Sequence, residues 1–367
     1  MPNITYTILL GMAPAPAELV DAIQEIEVEA STEIASAFRL RIGISQTTVG
    51  DWSTLEHDLF RPLLPVSIRV QTGAGLPEAI INGYVSGQQV TYADEPAQSA
   101  LEVTGMDATM LMNLQEKVMA WPNLPDSGIA TAIFGQYATV PQVQPTPPTL
   151  VEPEGTTTQR GTDIRFLRRL AQRNGFECYV QPEPLTGLDI GYFRPPQLSG
   201  PPQAVLSVNM GSQTNVDEFK IRYDMVRPTT VLTSGLDVPT KSPQPAAAVA
   251  AAQLPLGTEG ALLRLAPPPL VRPAQTGLVR TAELQTMAQS IVERSTWAIV
   301  AEGRVGPDVG VLRPGGIVNV RGAGRVYNGS YYLSRVTHTI GKDGYVQRFE
   351  ARRNAVGMTG AEMYVEL

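Results

Sequence analysis

Chemistry in this chain would have to come from few residues. There are two histidines, His57 and His338, and one cysteine, Cys178. His57 lies in LEHDLF and His338 alternates in THT, so neither has the spacing of a metal-ligand pair, and both are expected to be partly exposed structural histidines. Cys178, in FECYV, is expected in the core. A lone thiol also excludes an internal disulfide framework and a cysteine-rich zinc site. Nucleophile elbow, P-loop, zincin helix and calcium loop are absent from the sequence. Gly322-Ala-Gly324 is not a dinucleotide fingerprint, because the third glycine is misplaced and no helix follows. A carboxylate pair assembled only by folding, as glycoside hydrolysis needs, stays open. The residues therefore name no catalytic, cofactor-binding or metal site, and the expectation is that the chain is not an enzyme.

The densest charge pattern is TDIRFLRRLAQRNG, residues 162–175. Ile164, Phe166, Leu167, Leu170 and Ala171 recur at helical spacing, with Arg165, Arg168, Arg169 and Arg173 mainly opposite. Thr162 or Asp163 is expected to cap the helix, and Asn174-Gly175 to close it in the left-handed conformation. The arginines fit either a solvated face or a docking surface for an acidic partner.

Most of what would position these residues is β. The 367 residues allow two or three domains, and 33 Gly with 31 Pro favour short strands and turns over long helices. Net charge is −7, without the dense basic face of a non-specific nucleic-acid binder. Six alternating segments between residues 3 and 105 suggest a small barrel or sandwich, interrupted by a short helix or structured loop at 52–64. PDSGIATAIFGQYA predicts a helix capped by Asp126 or Ser127, and residues 141–160 read as a Pro-rich linker. The Ala- and Pro-rich stretch at 241–275 reads as an arm with a short Ala helix, followed by a helix from 281. No transmembrane segment is expected, and without a basic n-region the apolar N-terminus reads as a strand, not a signal peptide.

An internal echo links the ends of the chain. NGYVSGQQVTY at 82–92 matches NGSYYLSRVTH at 328–338, placing Asn82-Gly83 over Asn328-Gly329. Gly-Ala-Gly recurs at 73–75 and 322–324, and Leu101-Glu102 matches Phe349-Glu350. Three similar units in one order point to a duplicated β domain.

RGTDIRFLRRLAQRNGFECYV resembles the signature segment of the phage late control protein D family. These are the hub proteins of contractile tails, related to the hub portion of type VI secretion spike proteins. LRPGGIVNVRGAGRVYNGSYYLSRVTHTIGKDGYVQRFEARRNAV is similar to that family's closing β unit, with its terminal Arg-Asn. The resemblance implies a mainly β fold with an α+β insert: two tube-protein-like small β barrels and an intermediate α/β domain. The expected boundaries are 1–110 for the first barrel and 111–205 for the intermediate domain. The second barrel would take 206–240 and 296–367, leaving 241–295 as the arm and helix. It implies a homotrimer acting as a pseudo-sixfold adapter between a hexameric inner-tube protein and a separate trimeric spike protein, contacting other baseplate subunits. The chain ends at Leu367 without a needle repeat, hence the separate spike. Synthesis would be cytoplasmic and the destination a phage tail or injection-particle baseplate. The signature helix contributes Asp163, Phe166, Leu167, Arg168, Leu170, Arg173 and Gly175 as structural or docking residues. Two other readings stay open: a peptidoglycan-cleaving tail hub, and an extracellular carbohydrate-binding β protein.

Overall fold

A computed structural model describes residues 4–364 apart from 48–49, 54–58, 96–97, 148–151, 153–154, 238–239, 274–277, 280 and 343. The alternating N-terminal segments are strands β1 (Ile4–Leu10), β2 (Ile23–Ser31), β3 (Ala37–Gly43), β4 (Pro65–Thr72), β5 (Glu78–Thr91) and β6 (Ala100–Met106). An insert follows, with α1 (Asp126–Gly135), β7 (Val140–Val143), α2 (Asp163–Asn174), β8 (Glu177–Pro182) and β9 (Asp189–Arg194). Next come β10 (Val205–Ser207), β11 (Val216–Tyr223), β12 (Thr230–Asp237), β13 (Pro243–Ala248) and α3 (Thr281–Thr296). The chain closes with β14 (Ile299–Val305), β15 (Ile317–Arg321), β16 (Gly329–Gly341) and β17 (Gly344–Arg353). The fold is thus mainly β with an α+β insert. Among the described residues no helix is long and apolar enough to cross a membrane.

Both ends of the chain join one large sheet. Among the described residues its order is β11-β14-β17-β16-β2-β3-β6-β5-β4-β1, with β15 on the other half of β16 and β10 beside β15. This order contains the same unit twice. In the first unit β2, β3, β6, β5, β4 and β1 are successive neighbours; in the second, β11, β14, β17, β16, β15 and β10 follow the same chain order. One pairing differs: β1 lies antiparallel to β4, whereas β10 lies parallel to β15. The irregularities repeat too. Register slips at Gln24 between Ile23 and Glu25, and at Asp217 between Val216 and Glu218. It slips again at Ser86 in β5 and Ser334 in β16, and both bulge hydroxyls donate to the facing strand, to Thr104 O (3.1 Å) and Glu350 O (3.2 Å). Bulges are built features, and four in matching places mark equivalent positions.

These registers correct the sequence echo by two residues. Val85 and Leu333 both precede the bulge and both pair with the incoming loop, through Leu63-Leu64 and Gly315-Gly316. Asn82 therefore corresponds to Ser330, not Asn328, and Val103 rather than Leu101 to Phe349. A slip of two leaves every side chain on its original face, so alternation alone could not detect it. The match sets different core pairs in equivalent places. The pair Leu40·Val103 becomes Gly303·Phe349, and Phe38·Gly105 becomes Ala301·Ala351. A methyl at Gly303 would lie 2.5 Å from Phe349 Cζ, and one at Gly105 would lie 2.3 Å from Phe38. We expect Gly303→Leu to cost about 1–3 kcal/mol by overpacking. Adding Phe349→Val, which recreates the first unit's pair, should recover the part of that cost due to the ring, leaving the 2.9 Å approach to Glu218 O; urea unfolding of the singles and the double measures the coupling.

Among the described residues three smaller cores lie beside those of the large sheet. In the insert, Ile164, Phe166, Leu167, Leu170 and Ala171 of α2 pack with Ile129, Ile133 and Phe134 of α1 and with Cys178, Val180 and Phe193. Leu198, Leu256, Trp297, Ile317 and Tyr332 form a second cluster. Beside the large sheet, β12 pairs with β13 and packs on α3 through Val231, Ala248, Ala288 and Val292. The Ala run expected to include a helix is in part strand β13. Pro243 and Pro245 would interrupt a helix but are tolerated on a sheet edge.

Candidate interaction surface at the joint of the two β units

The two units meet where β2 lies antiparallel along the C-terminal half of β16, from Ser31 opposite Arg335 to Ile26 opposite Ile340. Alternation splits the joint into two faces. Inward, Ile26 (1% exposed), Val28 (0%) and His338 (2%) continue the core. Outward, Glu25, Glu27 and Glu102 surround Arg39 at 3.0, 2.8 and 3.4 Å, and Arg335 meets Glu29 at 3.3 Å. These half-buried pairs are still partly screened by solvent and individually weak, and their value lies in forming a network.

His338 is buried, contrary to the expectation of partial exposure, because β2 covers that edge of β16. Its Nδ1 lies 2.7 Å from the Tyr345 hydroxyl, and burial, with Arg313 adding to it, drives its pKa down to about 3. Arg313 ties the units from another side, donating to Ala79 O at 2.8 Å and to Glu78 Oε2 at 2.9 Å. His57 lies outside the described residues.

The insert is tied to the joint through Glu177. Its Oε1 accepts from Thr32 Oγ1 at 2.9 Å, and its Oε2 accepts from the Tyr332 hydroxyl. Burial outweighs these donated bonds and lifts its pKa to about 7. Glu177, Glu33, Arg168, Arg294, Trp297 and Tyr332 line a cavity of about 370 Å³. Glu33 is itself held by Arg352.

The signature-helix residues separate into distinct environments. Phe166, Leu167 and Leu170 are core. Asp163 is buried and accepts from Lys117 (2.5 Å), Tyr137 (2.6 Å) and Gln159 (2.6 Å). Burial pulls its pKa up, but those bonds outweigh it and hold the carboxyl below its ordinary value. Thr162 occupies the cap position, yet its hydroxyl bonds Asn113 at 2.9 Å instead of the helix. Asp126 does not cap α1 either; Pro125 holds that position and the buried Asp126 carboxylate binds Arg173 and Asn174. Arg168 faces the cavity with Nε and Nη2 unpartnered, while Gly175 closes α2 at φ +70°. Cys178 is buried, which raises its thiol pKa to about 12. The pairing of β2 with β16 and the role of Glu177 were not found from sequence. Among the described residues no cluster of three or more His, Cys, Asp or Glu could hold a metal ion.

The same architecture occurs in known proteins. The tail protein of Neisseria meningitidis MC58 superposes with a TM-score of 0.67 at 13% identity, covering 96% of this chain and 97% of that one. The 43 kDa tail protein of prophage MuSo2 from Shewanella oneidensis gives 0.64 at 14% identity, covering 96% and 100%. The E. coli c3393 protein, a type VI secretion component similar to phage T4 tail proteins gp27 and gp5, gives 0.55 at 12% identity, covering 90% and 73%. Residues 3–342 match the family model described as the Alg8 N-terminal domain. None of the curated proteins matches the chain.

Proposed function

Since the chain belongs to the Alg8 N-terminal domain family and repeats one β unit within a fold that it shares with phage tail proteins, we propose that it is a non-enzymatic hub of a contractile tail or injection machine, of the late control protein D kind. The observation that carries this is the duplicated unit, with its strands in the same order and two pairs of bulges in matching places. Two copies per chain let three chains present six similar units. One face can then meet a hexameric inner tube while the trimer meets a separate threefold spike. The ion-paired face of the sheet would line the channel, and the apolar faces would form the wall. The enzymatic alternative has one observation behind it, the cavity shared by Glu33 and Glu177. Both Glu177 oxygens accept bonds from within the chain and Glu33 is held by Arg352, so these carboxylates are committed to structure.

Electron microscopy of the purified protein, alone and with its spike, tests the hub reading. A threefold particle with six density lobes around a channel is the expected result. A dimer, or particles that stay monomeric with the spike present, would overturn it.

A further inference from the structure

Positive charge without a counter-charge collects in the cavity beside Glu177. We propose that this cavity binds a small organic oxyanion, a carboxylate or phosphate head on an apolar body, with the head held by Arg168, Arg294 and Arg227. The site goes beyond the hub reading and does not rest on it.

At about 370 Å³ the cavity has the size of a small-ligand site. It lies where several parts of the chain meet: Thr32 comes from the first β unit, Tyr332 from the second, Gln172 from α2 and Gln253 from the Ala/Pro arm. Four guanidiniums line it. Arg352 is matched by Glu33 and Glu350. Arg168, Arg227 and Arg294 form no ion pair among the described residues, in a chain whose net charge is −7. Arg294 donates to Gln172 O at 2.6 Å and Arg227 to Arg294 O at 3.3 Å, so backbone oxygens position both and leave their charge uncompensated. Burial lowers the Arg294 pKa, with no acid acting against it. The acids nearby are committed elsewhere. Glu33 is held by Arg352, and Glu177 accepts from Thr32 and Tyr332. Asp107 feels the Arg168 charge, but its carboxylate accepts from Ser36 N at 2.7 Å and from Thr109 N and Oγ1 at 2.9 and 2.5 Å. Partly desolvated cations are costly until an anion joins them.

Arg168 gives the site its chemistry. Its Nε and Nη2 are buried with no partner in the chain. These two N–H groups share one edge of the planar guanidinium, the edge that pairs with two oxygens of a carboxylate or phosphate. Arg173, later in the same helix, uses the same edge on Asp126. Binding would turn the Arg168 edge towards the cavity. Ala171, Phe176, Pro196 and Trp297 supply apolar wall for the body of the ligand. Gln253 Oε1, also buried and unpartnered, is placed to accept from a ligand hydroxyl or amine.

Equilibrium dialysis of the full chain against radiolabelled phenyl phosphate and, separately, benzoate tests the site. Saturable binding of one molecule per chain is expected for at least one probe, and the tighter probe identifies the head. Arg168→Lys keeps the charge but loses the two-donor edge. It should weaken binding at least about tenfold, the loss that accompanies one charge-assisted hydrogen bond. Arg227 is exposed, so Arg227→Gln should keep the fold and weaken binding about two- to fivefold, as for an exposed ion pair. Circular dichroism checks both variants, and Arg227→Gln decides if Arg168→Lys does not fold. Inorganic phosphate should bind more weakly than phenyl phosphate, because it cannot use the apolar wall; equal affinity would overturn the apolar-body part of the proposal. No saturable binding of either probe, or binding that both variants leave unchanged, would overturn the site.

Discussion

Replacing Arg353 by methionine is expected to lower the unfolding free energy by about 3–5 kcal/mol, because several buried backbone carbonyls lose their charged donor at once. Arg353 is fully buried at the end of β17. Its guanidinium donates to Leu256 O at 2.8 Å, to Asn328 O at 2.9 Å and to Gly357 O, and lies over the Tyr331 ring at 5.2 Å. Methionine fills similar space but leaves these carbonyls without donors, each costing about 1–3 kcal/mol if water cannot reach it. The next residue extends the clamp: Asn354 accepts from Leu256 N at 2.8 Å and donates to Leu254 O at 3.0 Å. Arg353 and Asn354 together hold the Ala/Pro arm against the second β unit. Arg348→Met, on the exposed face of the same strand, is the control and should stay within about 0.5 kcal/mol of the parent. Urea midpoints of the two variants decide the matter; equal midpoints would mean that the arm carbonyls find other donors.

The phase of Arg353 was legible in the sequence, although its burial was not inferred. In VQRFEARRN it falls in step with Phe349 and Ala351, which face the core, and out of step with Arg348 and Arg352. Period two thus marked the unusual arginine, but the habit of placing charge outside hid it. Helix α2 was legible because five apolar residues repeat at 3.6 and Gly175 closes it. Its cap was not, because Thr162 and Asp163 had tertiary partners, Asn113 and Lys117, far away in sequence. The duplication was legible, though two residues out of step. The joint between β2 and β16 was not legible. It pairs residues some three hundred positions apart, and any two amphipathic strands satisfy alternation equally well. What singles out this pair is the free half-edge left where β15 ends, a property of topology and not of composition.

Two buried titratable groups at that joint should give the protein opposing pH dependences. Glu177 has a folded-state pKa raised by burial to about 7 from an ordinary 4.5. Between those values the folded state holds one more proton than the unfolded, so stability falls as pH rises. The shift corresponds to about 3 kcal/mol at about 1.4 kcal/mol per unit. His338 is displaced the other way, from 6.5 to about 3, again by burial. Over that window the unfolded state holds the extra proton, so stability rises with pH. The two slopes largely cancel from about pH 4.5 to 6.5, and the parent should be flat there as far as these groups are concerned. Glu177→Gln keeps an acceptor and a donor at the node while removing its titration. Relative to the parent, the variant should gain about 3 kcal/mol between pH 4 and 7.5, measured as the difference in urea unfolding free energy at each pH. Asp189, also raised by burial, to about 6, contributes equally to both proteins and drops out of that difference. Parallel stability curves for parent and variant would mean that the Thr32 and Tyr332 bonds stabilise the carboxylate enough to offset its burial. The His338 slope would then appear undiminished in the parent, as a steady loss of stability on acidification below pH 6.5.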